Sequence, residues 1–309
     1  MNTMHSRREL LKLSLLGGIG LSFHPYLDIV KENKKILSRA IPSSGESLPI
    51  VGLGTWQTFD AGNSEQQRKI LSQVLLEMHR LGGTVIDSSP MYGSSEKVVG
   101  DLTNRLQFKD DLFYATKVWT SGKEAGIRQM EASMSKMRRN TMDLIQIHNL
   151  VDWKTHVKTL REWKDEQKIR YWGITHYVDS SHSTLERIIK VERPDFVQFN
   201  YSIRSRHAEN SLFAAAKKYK TATIINQPYE SGSLFRLVRG KQLPQWAKEQ
   251  SINSWGQYFL KFILSNEDVT CVIPGTSKPH HMIDNMGAGL GKMPGTHMRN
   301  KMLTHLKSL

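Results

Sequence analysis

Residues 142–175 read MDLIQIHNLVDWKTHVKTLREWKDEQKIRYWGIT, and this stretch decides the fold. Met142 to His148 is a mainly apolar run of strand length, Thr155 to Gln167 reads as a helix, and Ile169 to Thr175 is extended again. A strand, a helix and a second strand in that order call for two parallel strands joined by a right-handed crossover. The alternation continues upstream. Val51 to Trp56 is a short strand, and Ser64 to Leu81 a helix with Ile70, Leu71, Val74, Leu75 and Met78 on one face. Ser64 and Gln67 form a capping box, and Gly82-Gly83 stops that helix. Thr84 to Asp87 is strand, Glu96 to Leu106 helix, Leu112 to Trp119 strand, and Lys123 to Arg139 helix with Ile127, Met130, Met134 and Met137 along one side. Downstream, helices over Thr184–Lys190, Ala208–Tyr219 and Ile252–Leu264 alternate with strands over Phe196–Tyr201, Thr223–Gln227 and Val269–Pro274, and a last helix starts near Pro279. Eight strands, each followed by a helix, indicate an α/β chain folded as a (β/α)8 TIM barrel. The rival, a doubly wound sheet, lacks its glycine fingerprint: Val51-Gly-Leu-Gly-Thr-Trp56 has no third glycine. The methionine-rich faces read as core filler.

A chain of 309 residues suits one such barrel, and 39% hydrophobic with 23% charged residues lies near the globular range. The single cysteine, Cys271, excludes an intrachain disulfide framework and a cysteine-rich zinc site. The adjacent pair His280-His281 does not share a helix face and has no further ligand spaced for it, so no metal is expected. The net charge is +14, and residues 1–40 hold seven basic against three acidic residues, which leaves a surplus of ten elsewhere. The basic residues form no long run and accompany no recognition motif, so nucleic acid is not the expected partner.

The first 30 residues read as a targeting segment. Ser6-Arg7-Arg8-Glu9-Leu10-Leu11-Lys12 precedes an apolar, glycine-broken run from Leu13 to Phe23, too short to span a bilayer. That order resembles the twin-arginine signal that exports folded proteins in bacteria. The expectation is a signal over 1–30 that engages the export machinery and delivers a single barrel domain, 31–309, to the periplasm. A basic amphipathic helix on a cytoplasmic protein is the alternative. No other segment is apolar enough to span a membrane.

Barrel enzymes place their chemistry at the carboxyl ends of the strands. Asp87 ends the second strand, Tyr92 lies in the loop after it, Lys117 ends the third, and His148 ends the fourth. A phenol with a pKa of ~10 is a poor acid near neutrality, and an ammonium within ~4–6 Å lowers that value. A carboxylate keeps the lysine charged and fixed, and an imidazole orients or polarises a carbonyl oxygen. Tyr92 is then a general acid tuned by Asp87 and Lys117. No side chain here is a hydride source, so reduction of a carbonyl requires a cofactor.

Gly83-Thr-Val-Ile-Asp87-Ser-Ser-Pro-Met-Tyr92-Gly-Ser-Ser-Glu96 resembles the signature of the aldo-keto reductase family. Thr116-Lys117, Asp143 to His148, and Ile273-Pro-Gly-Thr-Ser277 with Asp284-Asn285 are similar to further segments of that family, and the likeness spans about residues 39–288. It implies a (β/α)8 barrel that reduces an aldehyde or ketone, a small-molecule carbonyl, with NADP(H) or NAD(H). In that reading Tyr92 donates the proton, Lys117 and Asp87 depress its pKa, and His148 orients the substrate. Thr175 and His176 stand where the family commonly has Ser-Asn at the nicotinamide carboxamide, with Gln198 as third partner. Asn226 stands where a tyrosine often stacks on the ring. Gln227-Pro228 and Gly232-Ser233-Leu234 line the pyrophosphate by resemblance. Thr276, Ser277 and Asn285 match the phosphate and adenine end, where Gly275 and His281 replace a lysine and an arginine. Neutral histidine lacks the permanent bidentate pairing of arginine, so the sequence leaves NADPH against NADH open. Trp56 and Trp119 resemble aromatic residues of the substrate pocket. Family members of this length are often monomers, and a monomer is the expectation. The rival function is a barrel that retains cofactor as a redox sensor or partner-binding subunit with little turnover.

Overall fold

In the computed structural model, residues 36–309 are described. The targeting segment expected over 1–30, and the start of the domain expected from residue 31, lie outside the described residues. A short antiparallel hairpin comes first, β1 (Ser38–Ala40) and β2 (Ser47–Pro49). Eight parallel strands follow: β3 (Leu53–Gly54), β4 (Val85–Asp87), β5 (Phe113–Val118), β6 (Met142–His148), β7 (Ile169–Thr175), β8 (Phe196–Asn200), β9 (Ala222–Asn226) and β10 (Cys271–Val272). They hydrogen-bond in chain order from β3 to β10. The ring closes between its ends. Gly52 N–H donates to Val272 O (2.9 Å), Val272 N–H to Ile50 O (2.9 Å), and Gly54 N–H to Pro274 O. Gly54 and Gly275 meet at this seam, where a Cβ on Gly54 would lie 2.8 Å from Ile273 O. The architecture is the expected (β/α)8 barrel.

The helices between the strands are α1 (Glu65–Arg80), α2 (Ser95–Thr103), α3 (Lys123–Lys136), α4 (Trp153–Asp165), α5 (His182–Glu192) and α6 (Leu212–Lys218). Two short helices, α7 (Ser233–Leu237) and α8 (Gln245–Glu249), precede α9 (Trp255–Leu264), and α10 (Pro279–Gly287) and α11 (Thr296–Lys307) end the chain. The end of α1 is dictated locally. Gly82, at φ 92°, lets Gly83 N–H reach Met78 O and Gly82 N–H reach His79 O, the paired bonds of a Schellman cap. At its start Ser64 Oγ accepts from Gln67 N–H, but Ser64 N–H donates to Ala61 O, so the capping box is only half made. Ile70 is 42% exposed, because the buried stripe of α1 is Leu71, Val74, Leu75 and Met78. The helix expected from Ala208 begins as a single 3₁₀ turn, and the one expected from Ile252 starts at Trp255, where Ser254 caps it.

Side-chain alternation divides the barrel interior into layers. Toward the amino ends of the strands the inward residues are apolar, among them Val85, Phe113, Leu144, Tyr171 and Phe196, and Ile41 and Leu48 of the hairpin segment plug this end. The plug is bolted by Tyr171, whose hydroxyl donates to Glu46 (2.7 Å), and by the Arg170–Glu46 ion pair. Two or four residues further along the same strands the inward positions become polar: Asp87, Lys117, Gln146, His148, Thr175 and Gln198, all buried. The site stands on that layer. No helix among the described residues is long and apolar enough to cross a membrane.

Candidate active site

The fold brings the four residues at neighbouring strand ends together. Lys117 Nζ donates to Asp87 Oδ2 at 2.6 Å and to Ser88 O at 2.6 Å, with the lysine fully buried. The ammonium also lies 4.9 Å from the centre of the Tyr92 ring. The His148 ring meets that of Tyr92 edge to face at 5.8 Å. Burial alone would discharge Lys117, but Asp87 and the Tyr92 phenol face it, and its pKa stands above the ordinary lysine value. The Tyr92 phenol also stands above its ordinary value. Its burial outweighs the nearby ammonium, and Asp87 adds to the rise. The net lowering expected from Lys117 is therefore overturned by desolvation. His148 is pushed down to about 2, first by burial and then by the Lys117 charge, so its imidazole is neutral. Ser89 Oγ holds His148 Nδ1 at 2.9 Å, which leaves Nε2 for another partner.

Gln146, Thr55 and Ser89 were given no role by sequence reasoning, and Gln198 was assigned to the cofactor alone. Gln146 Nε2 and Gln198 Nε2 both donate to Asp87 Oδ1, at 3.1 and 2.9 Å. Thr55 donates to Asp87 O, and Ser89 fixes the imidazole. Gln146 was findable, since it lies two residues before His148 and so shares its face of the strand. Ser89 had no such signal.

The residues assigned to a dinucleotide fall on one continuous side of the mouth, from β7 through β10 to α10. Thr175 Oγ1 donates to Gln198 Oε1 at 3.2 Å. His176 N–H donates to Gln198 O, and its Nδ1 accepts from Tyr177 N–H at 3.0 Å. Asn226 Nδ2 reaches His176 O (3.2 Å) and Gln198 Oε1 (3.4 Å), while its Oδ1 is buried and accepts from no protein group. Pro228 is buried, and Gly232 sits at φ 86°, beside Glu230 and Ser231 in the same left-handed region. Leu234 packs wholly in the core, so its side chain does not face the strand ends. At the far end Thr276 Oγ1 accepts from Lys278 N–H (3.1 Å), Gly275, Ser277 and His281 are exposed, and Asn285 Oδ1 accepts from the Tyr229 hydroxyl at 2.6 Å. Partial desolvation, with His280 and Lys278 beside it, lowers His281 and keeps it neutral at pH 7. Amides and a hydroxyl at the strand ends, a buried acceptor on Asn226, and the close glycine seam beside the first residues of the phosphate segment fit a nicotinamide dinucleotide. Trp56 and Trp119 stand at the mouth, 46% and 42% exposed, with Trp119 6.4 Å from the His148 ring. Met91 and Tyr177 are similarly exposed. Among the described residues no group of three His, Cys, Asp or Glu is placed to hold a metal ion.

A sequence model of the aldo/keto reductase family matches residues 50–299. Methylglyoxal reductase YeaE of Escherichia coli (strain K12) is 26% identical over 251 residues, which cover 78% of this chain and 86% of that protein. The NADH-specific methylglyoxal reductase of the same strain is 25% identical over 298 residues, 78% of this chain and 90% of that protein. Among solved structures, an aldo/keto reductase from Klebsiella pneumoniae in complex with NADP and acetate superposes with a TM-score of 0.72 at 20% identity, over 88% of this chain and 95% of that one.

Proposed function

The chain belongs to the aldo/keto reductase family, and from that premise we propose that it reduces an aldehyde or ketone to the alcohol with NADPH or NADH, Tyr92 supplying the proton. The observation that carries this reading is the dry Asp87–Lys117 pair beneath the Tyr92 ring, at 2.6 and 4.9 Å. When bound, the reduced nicotinamide supplies the hydride that becomes the new C–H bond at the carbonyl carbon. This chain's residues manage the oxygen. Neutral His148, fixed by Ser89, donates a hydrogen bond from Nε2 and holds the carbonyl oxygen toward the phenol. As charge grows on that oxygen, the Tyr92 O–H bond breaks toward it and the alcohol O–H forms. The phenolate left behind is stabilised by Lys117, which Asp87 keeps charged. A phenol above its ordinary pKa is protonated across the neutral range, the state a donor requires.

Thr175, His176, Gln198 and Asn226 would hold the nicotinamide end, Pro228, Gly232 and the Leu234 backbone the pyrophosphate, and Gly275, Thr276, Ser277, His281 and Asn285 the far end. The curated relatives named for methylglyoxal suggest small dicarbonyls. The exposed Trp56 and Trp119 favour an apolar or aromatic carbonyl. The test is decay of nicotinamide absorbance with methylglyoxal and with an aromatic aldehyde, NADPH and NADH in parallel. Tyr92→Phe should lower kcat by about 10²–10⁴-fold, the range of a general acid. Undiminished turnover in that variant would remove Tyr92 from the role.

Residues 1–30 support export, by the order Ser6-Arg7-Arg8-Glu9-Leu10. In that reading the enzyme works in the periplasm with cofactor loaded before export. Cell fractionation with Arg7→Lys/Arg8→Lys should move it to the cytoplasm, and an unchanged distribution would reject the signal.

A further inference from the structure

Asp87 carries more than its lysine. One oxygen, Oδ2, takes the Lys117 ammonium, and the other, Oδ1, takes two carboxamides, from Gln146 and Gln198. Gln146 is fully buried on β6, directly opposite Lys117 in the β5–β6 register. The fold makes room for it. Its other register partner, on β7, is Gly173, where a Cβ would lie 2.8 Å from Phe196 O and 3.2 Å from Gln146 Cγ. A side chain there would crowd the stem that crosses the barrel to Asp87. A buried polar group placed across a cleared path, with its donor on a carboxylate, does more than fill space.

We propose that Gln146 is a positioning residue of the reaction, which acts through Asp87 on Tyr92. Its N–H withdraws charge from Oδ1 and holds the carboxylate plane, so that Asp87 fixes Lys117 without cancelling the ammonium's pull on the phenol. Without that donor Asp87 presents a fuller charge to the Lys117–Tyr92 pair, and the phenol becomes a weaker acid. Gln198 cannot substitute, since its Oε1 is engaged by Thr175 and Asn226 and its single amide already sits on Oδ1. This inference rests on the reductase reading for its consequence in turnover, but not for its effect on the ionisation of Tyr92.

Gln146→Met keeps the volume and removes the donor, and Gln146→Asn keeps an amide one methylene too short to reach Oδ1. Three readouts are taken on whichever folds, as judged by its thermal unfolding midpoint. Tyrosinate absorbance, differenced against the same variant carrying Tyr92→Phe, should show the Tyr92 transition moved to higher pH by about one unit, the effect of losing one hydrogen bond to a charged group. The alkaline limb of kcat should move with it, and kcat on its plateau should fall about 10-fold while KM changes less. In an Asp87→Asn background the Gln146 substitution should add no further shift, because the carboxylate it acts on is gone. A Tyr92 transition at the wild-type pH in a folded variant, or an undiminished shift in the Asp87→Asn background, would overturn the proposal. The absorbance arm needs neither substrate nor turnover, so a wild type without carbonyl reductase activity would refute the reductase reading and leave this one to be decided.

Discussion

At the scale of single residues, the proposed reaction divides the site into groups that would set the acidity of Tyr92 and groups that would aim the substrate. Ser89 belongs to the second. Its hydroxyl is the one protein partner of His148 Nδ1 among the described residues, and the ring is largely buried. Ser89→Ala therefore frees the imidazole to rotate and leaves a buried nitrogen unpaired. The expected result is a fall in kcat/KM of about 10-fold with the tyrosinate transition of Tyr92 unmoved, whereas the Gln146 substitution is expected to move that transition. Loss of activity together with a shifted Tyr92 would show that the serine acts through the charge network instead. Asp87, Tyr92, Lys117 and His148 were legible because strand ends are where a barrel keeps its chemistry, and each carries an ionisable group. Ser89 was not, since a serine after a strand is among the commonest residues of a turn. The sign of the Tyr92 shift was also illegible, because spacing reveals the ammonium but not the desolvation that outweighs it.

At the scale of elements, a close helix approach lies at Gly100 of α2. A Cβ there would fall 2.1 Å from Lys136 O and 2.7 Å from Met137 Cα, the end of α3. Both obstacles are backbone, so no rotamer change relieves them. The next residue, Asp101, binds Arg68 of α1, Lys97 of α2 and Arg138 just beyond α3, and these cations hold its carboxyl well below the usual range against the cost of burial. Gly100→Ala should push α2 off α3 and strain that junction, at a cost of about 3 kcal/mol, the upper part of the range for overpacking. Urea unfolding measures it, and a loss below about 1 kcal/mol would mean the helices slide apart freely. Helices of this size were readable, since α1, α3 and α4 are long enough to show an amphipathic period. The hairpin β1–β2 was not, because strands of three residues show no period, and its plug residues Ile41 and Leu48 are isolated in a polar stretch. The helices α7 and α8, five residues each, were missed for the same reason. The outer strands β3 and β10 contract to two residues each, because the chain on either side crosses the seam by single bridges.

At the scale of the whole barrel, the mouth holds histidines that folding keeps neutral. His148 is pushed down to about 2, by burial and then the Lys117 charge. His182, 2% exposed, is lowered by burial against its hydrogen bond to Asn200, and His176 is lowered by burial alone. Each takes up a proton in the unfolded chain near pH ~6.5 and resists it in the fold. The unfolded state therefore binds more protons below that pH, and stability falls as the pH falls. His148 alone should cost about 2 kcal/mol between pH 7 and pH 5, since its folded value lies beneath that whole window. Asp101 has the same sign but a lower window. Its carboxylate stabilises the fold above its ordinary pKa and loses that contribution only at stronger acid. A chain already at +14 gains further positive charge on the way down, which adds self-repulsion in the same direction. The expected curve is flat between about pH 7 and 7.5 and declines from about pH 6.5, well before ordinary carboxylates titrate. Urea midpoints at pH 7.5, 6 and 5 trace it. His148→Gln, which cannot take the proton, should recover its own share of the loss, about 2 kcal/mol between pH 7 and pH 5. A wild-type midpoint that holds constant to pH 5 would mean that His148 is charged in the fold, and the neutral donor assigned to the carbonyl oxygen would go with it.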